Sequence, residues 1–378
     1  SVLSTLALSL VAYVEAAPSA GLQNAAPKVV ALDFNVHRKP INATISKRAD
    51  DNVPLINKGT YYIATLLFGS QKALVGVDVD TGSSDLWVPT SGTGSLNTPY
   101  GSYDPSGSTT AKDTGKVFSV EYGEAGDITY AKGEYYTDTV SFADGSFPLK
   151  NLEFASVNDD NIGVGGILGV GLTSLEGALP SYPNLPQALK DQGYISKNAY
   201  SLYLNSQDAS SGSILFGGKD TAKIDGDLVT LPHSGDPSRL DATLGGVSFN
   251  GKSISLNQAF NFDSGTSVII FDQDTFTKVA TDFFGWDGSS TYQGLPSVSS
   301  VPSGSVSFQF DGITIDVPTT DIAIDTGNGL YVLYLSSGSV PILGDPFLRN
   351  AYLVYDLDDR SIGVGKVKFT DALNIVAL

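Results

Sequence analysis

Short apolar runs, each followed by a turn rich in glycine, serine, aspartate and asparagine, make up most of the chain from residue 61 onward. The run at residues 61–67, Tyr-Tyr-Ile-Ala-Thr-Leu-Leu, is typical. Runs of this length between turn formers are characteristic of β-strands. Helical periodicity is confined to two candidates, residues 185–192, followed by Gly193, and residues 274–284. The pattern predicts a mostly β protein.

The N-terminal end of the chain follows a different pattern. Residues 2–14 are apolar, and the small residues Ala16 and Ala17 follow them. This arrangement is typical of a secretory signal peptide with its cleavage site, and the apolar stretch is too short to span a bilayer comfortably. We therefore expect residues 1–17 to be a signal peptide rather than a membrane anchor.

A basic segment follows the predicted signal peptide and ends at a dibasic pair, Lys47-Arg48. Residues 1–48 hold five basic and two acidic residues, whereas the whole chain has a net charge of -18. A basic segment next to a strongly acidic body is suited to electrostatic docking, although a folding aid would look the same. We interpret residues 18–48 as a propeptide that is removed at this pair, so that the mature chain begins at or near Ala49.

One eight-residue pattern occurs twice in the chain. Residues 77–84 read Val-Asp-Val-Asp-Thr-Gly-Ser-Ser, and residues 260–267 read Phe-Asn-Phe-Asp-Ser-Gly-Thr-Ser. An Ile-Leu-Gly triplet follows each copy at a similar distance, at 167–169 and at 342–344. Such a repeat predicts two β lobes of similar plan, related by a pseudo-twofold axis. We place their boundaries at 49–235 and 236–378.

Two other sites carry part of the repeated motif. Asp113 and Asp325 also begin an Asp-Thr-Gly triplet. Neither triplet is followed by Ser or Thr in the fourth place, and neither repeats the spacing to Ile-Leu-Gly. A bare Asp-Thr-Gly is therefore weak support for a functional site, because these residues also favour ordinary turns. The repeated motif with its matched triplet is much more specific.

The repeat suggests a chemistry if its two copies face each other. Asp80 and Asp263 would then meet, and two adjacent carboxyl groups hold one proton between them. Such a pair can activate water and protonate an amide carbonyl without a covalent intermediate. Gly82 and Gly265 would allow close backbone approach, and the flanking hydroxyls could orient the carboxylates. The alternatives are two simple turns, or a metal site at Asp78, Asp80 and Asp85.

Composition removes several other functions. The net charge of -18 argues against a nucleic-acid partner, which needs a basic surface. The chain has no cysteine, which excludes disulfides, thiol nucleophiles and zinc–thiolate sites. The two histidines, His37 and His233, form no HExxH motif. We expect neither a metal nor a cofactor, and any enzyme chemistry should depend on carboxyl groups.

The repeated motifs resemble those of a known family. Asp-Thr-Gly-Ser-Ser-Asp-Leu-Trp-Val-Pro at 80–89 and Asp-Ser-Gly-Thr at 263–266 resemble the two active-site motifs of the pepsin family. Residues 342–349, 355–356 and 362–364 resemble the C-terminal lobe of that family. Residues 199–204 and 212–218 resemble its fungal secreted, candidapepsin-like branch, and residues 32–38 resemble the propeptides of that branch. The resemblance covers nearly the whole chain.

Membership of this family implies a bilobal pepsin-like acid protease fold with the active-site cleft between the lobes. It also implies a secreted aspartic endopeptidase that is made as a zymogen and acts at acid pH. Asp80 and Asp263 would be catalytic, with supporting roles for six neighbours. Thr81 and Ser264 would tie the two loops together through crossed hydrogen bonds. Ser83 and Thr266 would bond the outer carboxylate oxygens, and Gly82 and Gly265 would let the backbones of the two loops approach closely.

The resemblance further implies a β-hairpin flap over the substrate, for which residues 117–128 are the candidate. Tyr122 would place its hydroxyl near the Trp87 indole, and Gly123 and Glu124 would offer backbone groups to the peptide. The flap departs from the family pattern at Ala125, where glycine is usual, so its register is open.

The expected partners follow from the same resemblance. They are protein or peptide substrates, the chain's own propeptide as an inhibitor, and pepstatin-type inhibitors, with no nucleic acid and no membrane, and the enzyme is expected to be a monomer. We expect secretion to the exterior, with vacuolar retention as the alternative. Two other functions stay open at this point: an inactive binding protein with the pepsin fold, and a glycosidase with paired carboxylates.

Overall fold

A computed structural model describes residues 29–38, 59–92, 98–123, 128–162 and 165–378. The predicted signal peptide at 1–17 and the dibasic pair Lys47-Arg48 lie outside these residues. Within the described ranges, no helix is long and apolar enough to cross a membrane.

Strands form most of the described structure. Twelve come from residues up to 232: β1 (Val30–Arg38), β2 (Thr60–Phe68), β3 (Ala73–Asp80), β4 (Leu86–Pro89), β5 (Lys112–Tyr122), β6 (Thr129–Phe142), β7 (Leu149–Asp160), β8 (Gly166–Gly169), β9 (Ala199–Tyr203), β10 (Ser211–Phe216), β11 (Gly218–Asp220) and β12 (Ile224–Pro232). The others are β13 (Asp241–Phe249), β14 (Lys252–Phe262), β15 (Ile269–Phe271), β16 (Thr291–Tyr292), β17 (Leu295–Val298), β18 (Ser305–Phe310), β19 (Ile313–Pro318), β20 (Ala323–Asp325), β21 (Tyr331–Leu333), β22 (Leu335–Ser337), β23 (Ile342–Leu343), β24 (Ala351–Asp356), β25 (Ser361–Val367) and β26 (Ile375–Ala377).

Both predicted helices are present, and both are short. The first is α1 (Leu185–Asp191), where the Asn184 side chain accepts a bond from a backbone N–H of the first turn and Gly193 follows with a positive φ of 75°. The second is α2 (Gln273–Lys278), continued by a π-helical turn at Val279–Phe283. The remaining helical segments are α3 (Thr319–Ile322), α4 (Asp345–Leu348) and 3₁₀ turns at Pro105–Gly107, Thr173–Leu175 and Thr221–Lys223. The mostly β prediction is confirmed.

The sequence repeat corresponds to a repeated strand arrangement. β3 pairs in parallel with β8, and β4 pairs antiparallel with β8. In the second copy, β14 pairs in parallel with β23, and β15 pairs antiparallel with β23. The first Ile-Leu-Gly triplet, at 167–169, lies within β8. In the second triplet, Ile342 and Leu343 form β23, and Gly344 directly follows it. Each of these short strands supports the loop that begins with the motif aspartate.

The glycines that end the two triplets have a steric reason. A Cβ on Gly169 would lie 2.5 Å from the backbone nitrogen of Ser84, and one on Gly344 would lie 2.2 Å from the backbone oxygen of Thr266. Both distances are shorter than any real carbon contact. Each motif loop thus passes directly over the end of its supporting strand, which leaves no room for a side chain.

Two large sheets organise these strands. The first has 13 strands in the order β12-β25-β24-β9-β10-β1-β2-β3-β8-β4-β7-β6-β5, and the second has seven in the order β19-β18-β13-β14-β23-β15-β22. β24 and β25 come from the C-terminal end but join the first sheet, so that both halves of the chain share it. One hydrophobic core lies under both sheets, and a smaller apolar cluster surrounds Trp87 next to β5.

β1 belongs to the predicted propeptide and is an inner strand of the first sheet. It pairs antiparallel with β10 on one side and with β2 on the other. Its alternate residues Val30, Leu32 and Phe34 are buried. Backbone pairing and apolar burial therefore hold this segment, in addition to any electrostatic attraction.

Two carboxyl groups outside the repeated motifs, those of the buried Asp345 and the half-buried Glu176, favour their protonated form. Asp345 accepts a hydrogen bond of 2.8 Å from the Tyr62 hydroxyl, and its burial raises its pKa to about 6 despite the nearby Arg349 guanidinium. Burial also raises the pKa of Glu176 to about 8, and the charges of Asp85 and Glu153 add to this effect. Since a raised folded-state pKa stabilises the fold only while the group keeps its proton, this contribution is present at low pH and is lost as pH rises through the folded-state pKa.

We predict that the free energy of unfolding falls between about pH 5 and pH 8, and that Glu176→Gln makes this fall shallower by ~1–2 kcal/mol. Glutamine stays neutral throughout, so the cost of ionising this half-buried position disappears. Urea unfolding at a series of pH values measures the slope. Glu121→Gln, at an exposed position of β5, is the matched control and should keep the wild-type slope. A Glu176→Gln protein with the wild-type slope would contradict the assignment.

Candidate active site

The two motif aspartates occupy equivalent positions at the ends of strands. Asp80 is the last residue of β3, and Asp263 directly follows β14. Both are buried, with 6% and 8% of their surface exposed. The parallel partners of these strands hold the turns in place: Val170 N–H donates to Asp80 O at 3.0 Å, and Asp263 N–H donates to Leu343 O at 3.1 Å.

Each carboxylate is held at both oxygens by its own loop. Asp80 Oδ1 accepts from the Gly82 N–H at 2.9 Å, and its Oδ2 accepts from the Ser83 hydroxyl at 2.6 Å. The second copy repeats this arrangement at 2.7 and 2.6 Å, from the Gly265 N–H to Asp263 Oδ1 and from the Thr266 hydroxyl to Oδ2. These bonds fix the plane of each carboxyl group.

A crossed set of hydrogen bonds joins the two loops. The Thr81 hydroxyl donates to the Phe262 carbonyl at 2.8 Å and accepts from the Ser264 N–H at 3.0 Å. In return, the Ser264 hydroxyl donates to the Val79 carbonyl at 2.7 Å and accepts from the Thr81 N–H at 3.2 Å. The four bonds are buried and tie the first copy of the motif to the second.

The loops approach so closely that each glycine lies against the opposite carboxyl group. A Cβ on Gly82 would lie 2.5 Å from Asp263 Cγ, and a Cβ on Gly265 would lie 2.5 Å from Asp80 Oδ1. The two loops are therefore in direct contact, with the glycine of each packed against the carboxyl group of the other.

The pair is electrostatically coupled. Burial raises the pKa of Asp263 well above its usual range, and the neighbouring Asp80 charge raises it further. Thr266 and Gly265 act in the opposite direction through their hydrogen bonds, but they do not outweigh burial. A pair in this state holds one proton between two carboxyl groups.

Comparison with known proteins agrees with this geometry. Residues 61–367 match the family described as eukaryotic aspartyl protease. The chain belongs to this family. It is 41% identical over 375 residues to a candidapepsin from Candida tropicalis, and this alignment covers 95% of the present chain and 93% of the relative. It is 40% identical over 408 residues to secreted aspartic protease 8 of Candida albicans, with 100% and 98% covered.

A solved structure agrees on the fold. The aspartic proteinase from Irpex lacteus matches with a TM-score of 0.72 at 22% identity, over 91% of this chain and 99% of that one. The bilobal pepsin-like fold is thus confirmed, and the protein is an aspartic-type endopeptidase. The glycosidase and the inactive binding protein are the less supported alternatives.

β5 is the strand that leads into the predicted flap, and it ends at Tyr122. The Trp87 indole N–H donates to the Tyr122 hydroxyl at 3.0 Å, and Trp87 is fully buried. Burial raises the pKa of Tyr122, and the negative charge of Asp80 raises it further. Gly123 follows with a positive φ of 95°. Glu124 and Ala125 lie outside the described residues.

Sequence reasoning missed a second layer behind Trp87. Asp85 Oδ1 accepts from the hydroxyls of Tyr135 at 2.8 Å and Tyr182 at 2.7 Å, and its Oδ2 accepts from the Gly177 N–H at 2.8 Å. The sequence indicated Asp85 as a member of the first motif and as a possible metal ligand, but not as an acceptor for these groups. Its partners lie 50 to 97 residues away in the sequence, so no local sequence pattern predicts these contacts.

The remaining aspartates of the sequence analysis have local roles. Asp78 accepts from the Tyr62 N–H at 2.7 Å, and no group of three metal-ligating side chains occurs among the described residues. Asp113 and Asp325 are exposed, and each accepts from a glycine N–H two residues on, as Asp80 does. The local turn is therefore shared by all these sites, and the pairing of two such turns distinguishes the active one.

We predict that Gly82→Ala lowers kcat at least a hundredfold, because the added methyl group would displace the Asp263 carboxyl from its partner. Steady-state kinetics on a peptide substrate, normalised by folded protein, measures the loss. Gly245→Ala is the matched control: its Cβ meets one backbone oxygen at 3.2 Å, far from any motif residue in sequence, and kcat should stay within twofold. Near-wild-type kcat in Gly82→Ala would contradict the close contact.

Proposed function

We propose that Asp80 and Asp263 are the catalytic pair of a secreted, zymogen-derived aspartic endopeptidase. The observation that carries this proposal is the reciprocal geometry of the two loops. Each carboxyl group has one oxygen fixed by a hydroxyl of its own loop, and the glycine of the opposite loop lies directly against it. Thr81 and Ser264 would maintain this geometry, which leaves the pair free to exchange one proton.

Hydrolysis would proceed in two balanced steps. One carboxylate takes a proton from water while the other carboxyl gives its proton to the scissile carbonyl oxygen. The water oxygen bonds to the carbonyl carbon, which yields a neutral tetrahedral diol. The diol then collapses: one of its hydroxyls returns its proton to the carboxylate of the pair as the carbonyl double bond re-forms, the C–N bond breaks, and the protonated carboxyl gives its proton to the leaving nitrogen. The singly protonated pair is regenerated, and activity should therefore follow a bell-shaped curve in the acid range.

The flap supports an extended peptide as substrate. Trp87 fixes the Tyr122 hydroxyl at the end of β5, and the partly buried Val120 and Tyr122, which pack against the cluster around Trp87, would offer apolar surface to substrate side chains. The proposed partners are protein or peptide substrates and pepstatin-type inhibitors, whose central hydroxyl would imitate the diol between the carboxyl groups. The enzyme would act as a monomer, since both carboxyl groups come from one chain.

The propeptide assignment, residues 18–48, rests on β1 and on the dibasic pair. β1 supplies an inner strand to the first sheet, so its removal would leave the edges of β2 and β10 without this partner. A segment held in this way suits a chain that folds as an inhibited precursor. Candida relatives are named as secreted proteases, which supports an extracellular enzyme over a vacuolar one.

We predict that Asp80→Asn and Asp263→Asn each reduce kcat by at least a thousandfold, because neither variant can hold one proton between two carboxyl groups. Hydrolysis of denatured protein across the acid range, with and without pepstatin, measures the effect. Asp113→Asn and Asp325→Asn keep the same local turn and are the matched controls, with activity expected within twofold of wild type.

Unaltered far-UV circular dichroism would show that the two inactive variants remain folded. A variant that retains a tenth of the wild-type kcat would refute the pair. A wild-type protein that binds pepstatin but cleaves nothing would favour the inactive binding protein instead.

We predict that the secreted protein begins at or near Ala49. N-terminal sequencing of the mature enzyme gives the answer directly, and replacement of Lys47-Arg48 by Ala-Ala should shift or block this cleavage. A natural start well beyond Tyr61 would contradict the prediction, since it would remove part of β2, a strand of the first sheet.

A further inference from the structure

Two tyrosines lie face to face beneath the catalytic pair. Tyr200 of β9 and Tyr355 of β24 are directly opposite each other in the first sheet. Their rings stack with centroids 4.8 Å apart and planes 18° apart, and both residues are almost fully buried. The charges of Asp80 and Asp263 both reach the two hydroxyls, which raises the pKa of each tyrosine beyond the effect of its burial.

The two hydroxyls differ in what they bind. The Tyr355 hydroxyl donates to the Phe262 carbonyl at 3.0 Å. The same carbonyl accepts the Thr81 hydroxyl at 2.8 Å, so both of its acceptor positions are in use. Phe262 immediately precedes Asp263, and its peptide group is therefore held from two directions at the point where the chain leaves β14.

Tyr200 makes no equivalent hydrogen bond to the loop of Asp80. The Tyr200 hydroxyl is buried and has no hydrogen-bond partner among the described residues. The Val79 carbonyl, which precedes Asp80, accepts the Ser264 hydroxyl at 2.7 Å. Of these two paired tyrosines, only Tyr355 thus donates a hydrogen bond to the carbonyl that precedes a motif aspartate.

We propose that Tyr355 is a positioning residue of the protease, whose hydroxyl fixes the Phe262 peptide and with it the Asp263 half of the catalytic pair. Tyr355 lies beneath the loops in the sheet and does not itself need to meet the substrate. Its hydroxyl should therefore affect the chemical step and leave substrate binding unchanged. The inference rests on the proposed role of Asp80 and Asp263.

The test is Tyr355→Phe, which removes the hydroxyl and keeps the stacked ring. We expect kcat to fall about tenfold with KM within twofold of wild type. We also expect the alkaline limb of the kcat–pH profile to move toward acid, because a looser Asp263 loop admits water and relieves the burial that keeps its proton in place. Titration with a tight-binding pepstatin-type inhibitor counts the competent sites, so that kcat is expressed per folded enzyme.

Two matched variants separate positioning from general stability. Tyr200→Phe removes a hydroxyl from the same stack but breaks no hydrogen bond with a described residue, and it should keep kcat and the pH profile. Tyr352→Phe, also in β24, removes a buried hydroxyl that donates to Ser201 and accepts from the Asp220 N–H. It should lower the unfolding temperature and leave kcat per site within twofold.

Each outcome decides the inference. A tenfold loss in Tyr355→Phe alone, together with the shifted pH limb, supports it. A Tyr355→Phe enzyme with wild-type kcat, or one whose loss matches that of Tyr352→Phe with no shift in pH profile, overturns it. An inactive wild-type enzyme would refute the proposed function itself and is thereby distinguished from failure of the inference.

Discussion

The repulsion between two neighbouring carboxylates is the constraint on which this molecule depends. At ~4 Å and an effective dielectric constant of about 20, two full charges repel by roughly 4 kcal/mol. Sharing a proton relieves this repulsion, but only while the groups stay in contact. The crossed bonds of Thr81 and Ser264 run between the two copies of the motif, which is the direction in which the loops would otherwise separate. Each loop in turn rests on a parallel strand pair whose final glycine lies directly beneath it.

The same reliance on bound protons extends through the fold. Asp345 joins Tyr62 of β2 to the C-terminal part of the chain, and its pKa of about 6 means that the link is neutral in acid. Glu176 lies near Asp85, whose negative charge helps to raise its pKa. Protonated carboxyl groups lie at the candidate active site, between the two halves of the chain and near Asp85. The stability of this fold, as well as its proposed chemistry, is therefore coupled to acid conditions.

The geometry around Asp80 and Asp263 was predictable from the sequence because it is local and repeated. The residues that hold Asp80 and Asp263 stand within three positions of each aspartate, so a short motif contains them. The strand formed by β1 was not predicted, since the segment was read for its charge rather than for its alternating burial. Asp345, Glu176 and Tyr355 acquire their properties from partners far away in the chain. Burial and long-range hydrogen bonds of this kind leave no periodic signal in a single sequence.

A duplicated motif creates a difficulty that the structure has to resolve. Two identical halves would give two equivalent carboxyl groups, whereas hydrolysis needs one acid and one base at each moment. Small exchanges between the copies, such as Thr for Ser in the crossed bonds, change shape but keep the same donors. Tyr200 and Tyr355 differ in a more informative way, because identical residues in paired positions have different bonding. Asymmetry in this site thus arises from the surroundings of equal groups, and the sheet beneath the pair is where those surroundings diverge.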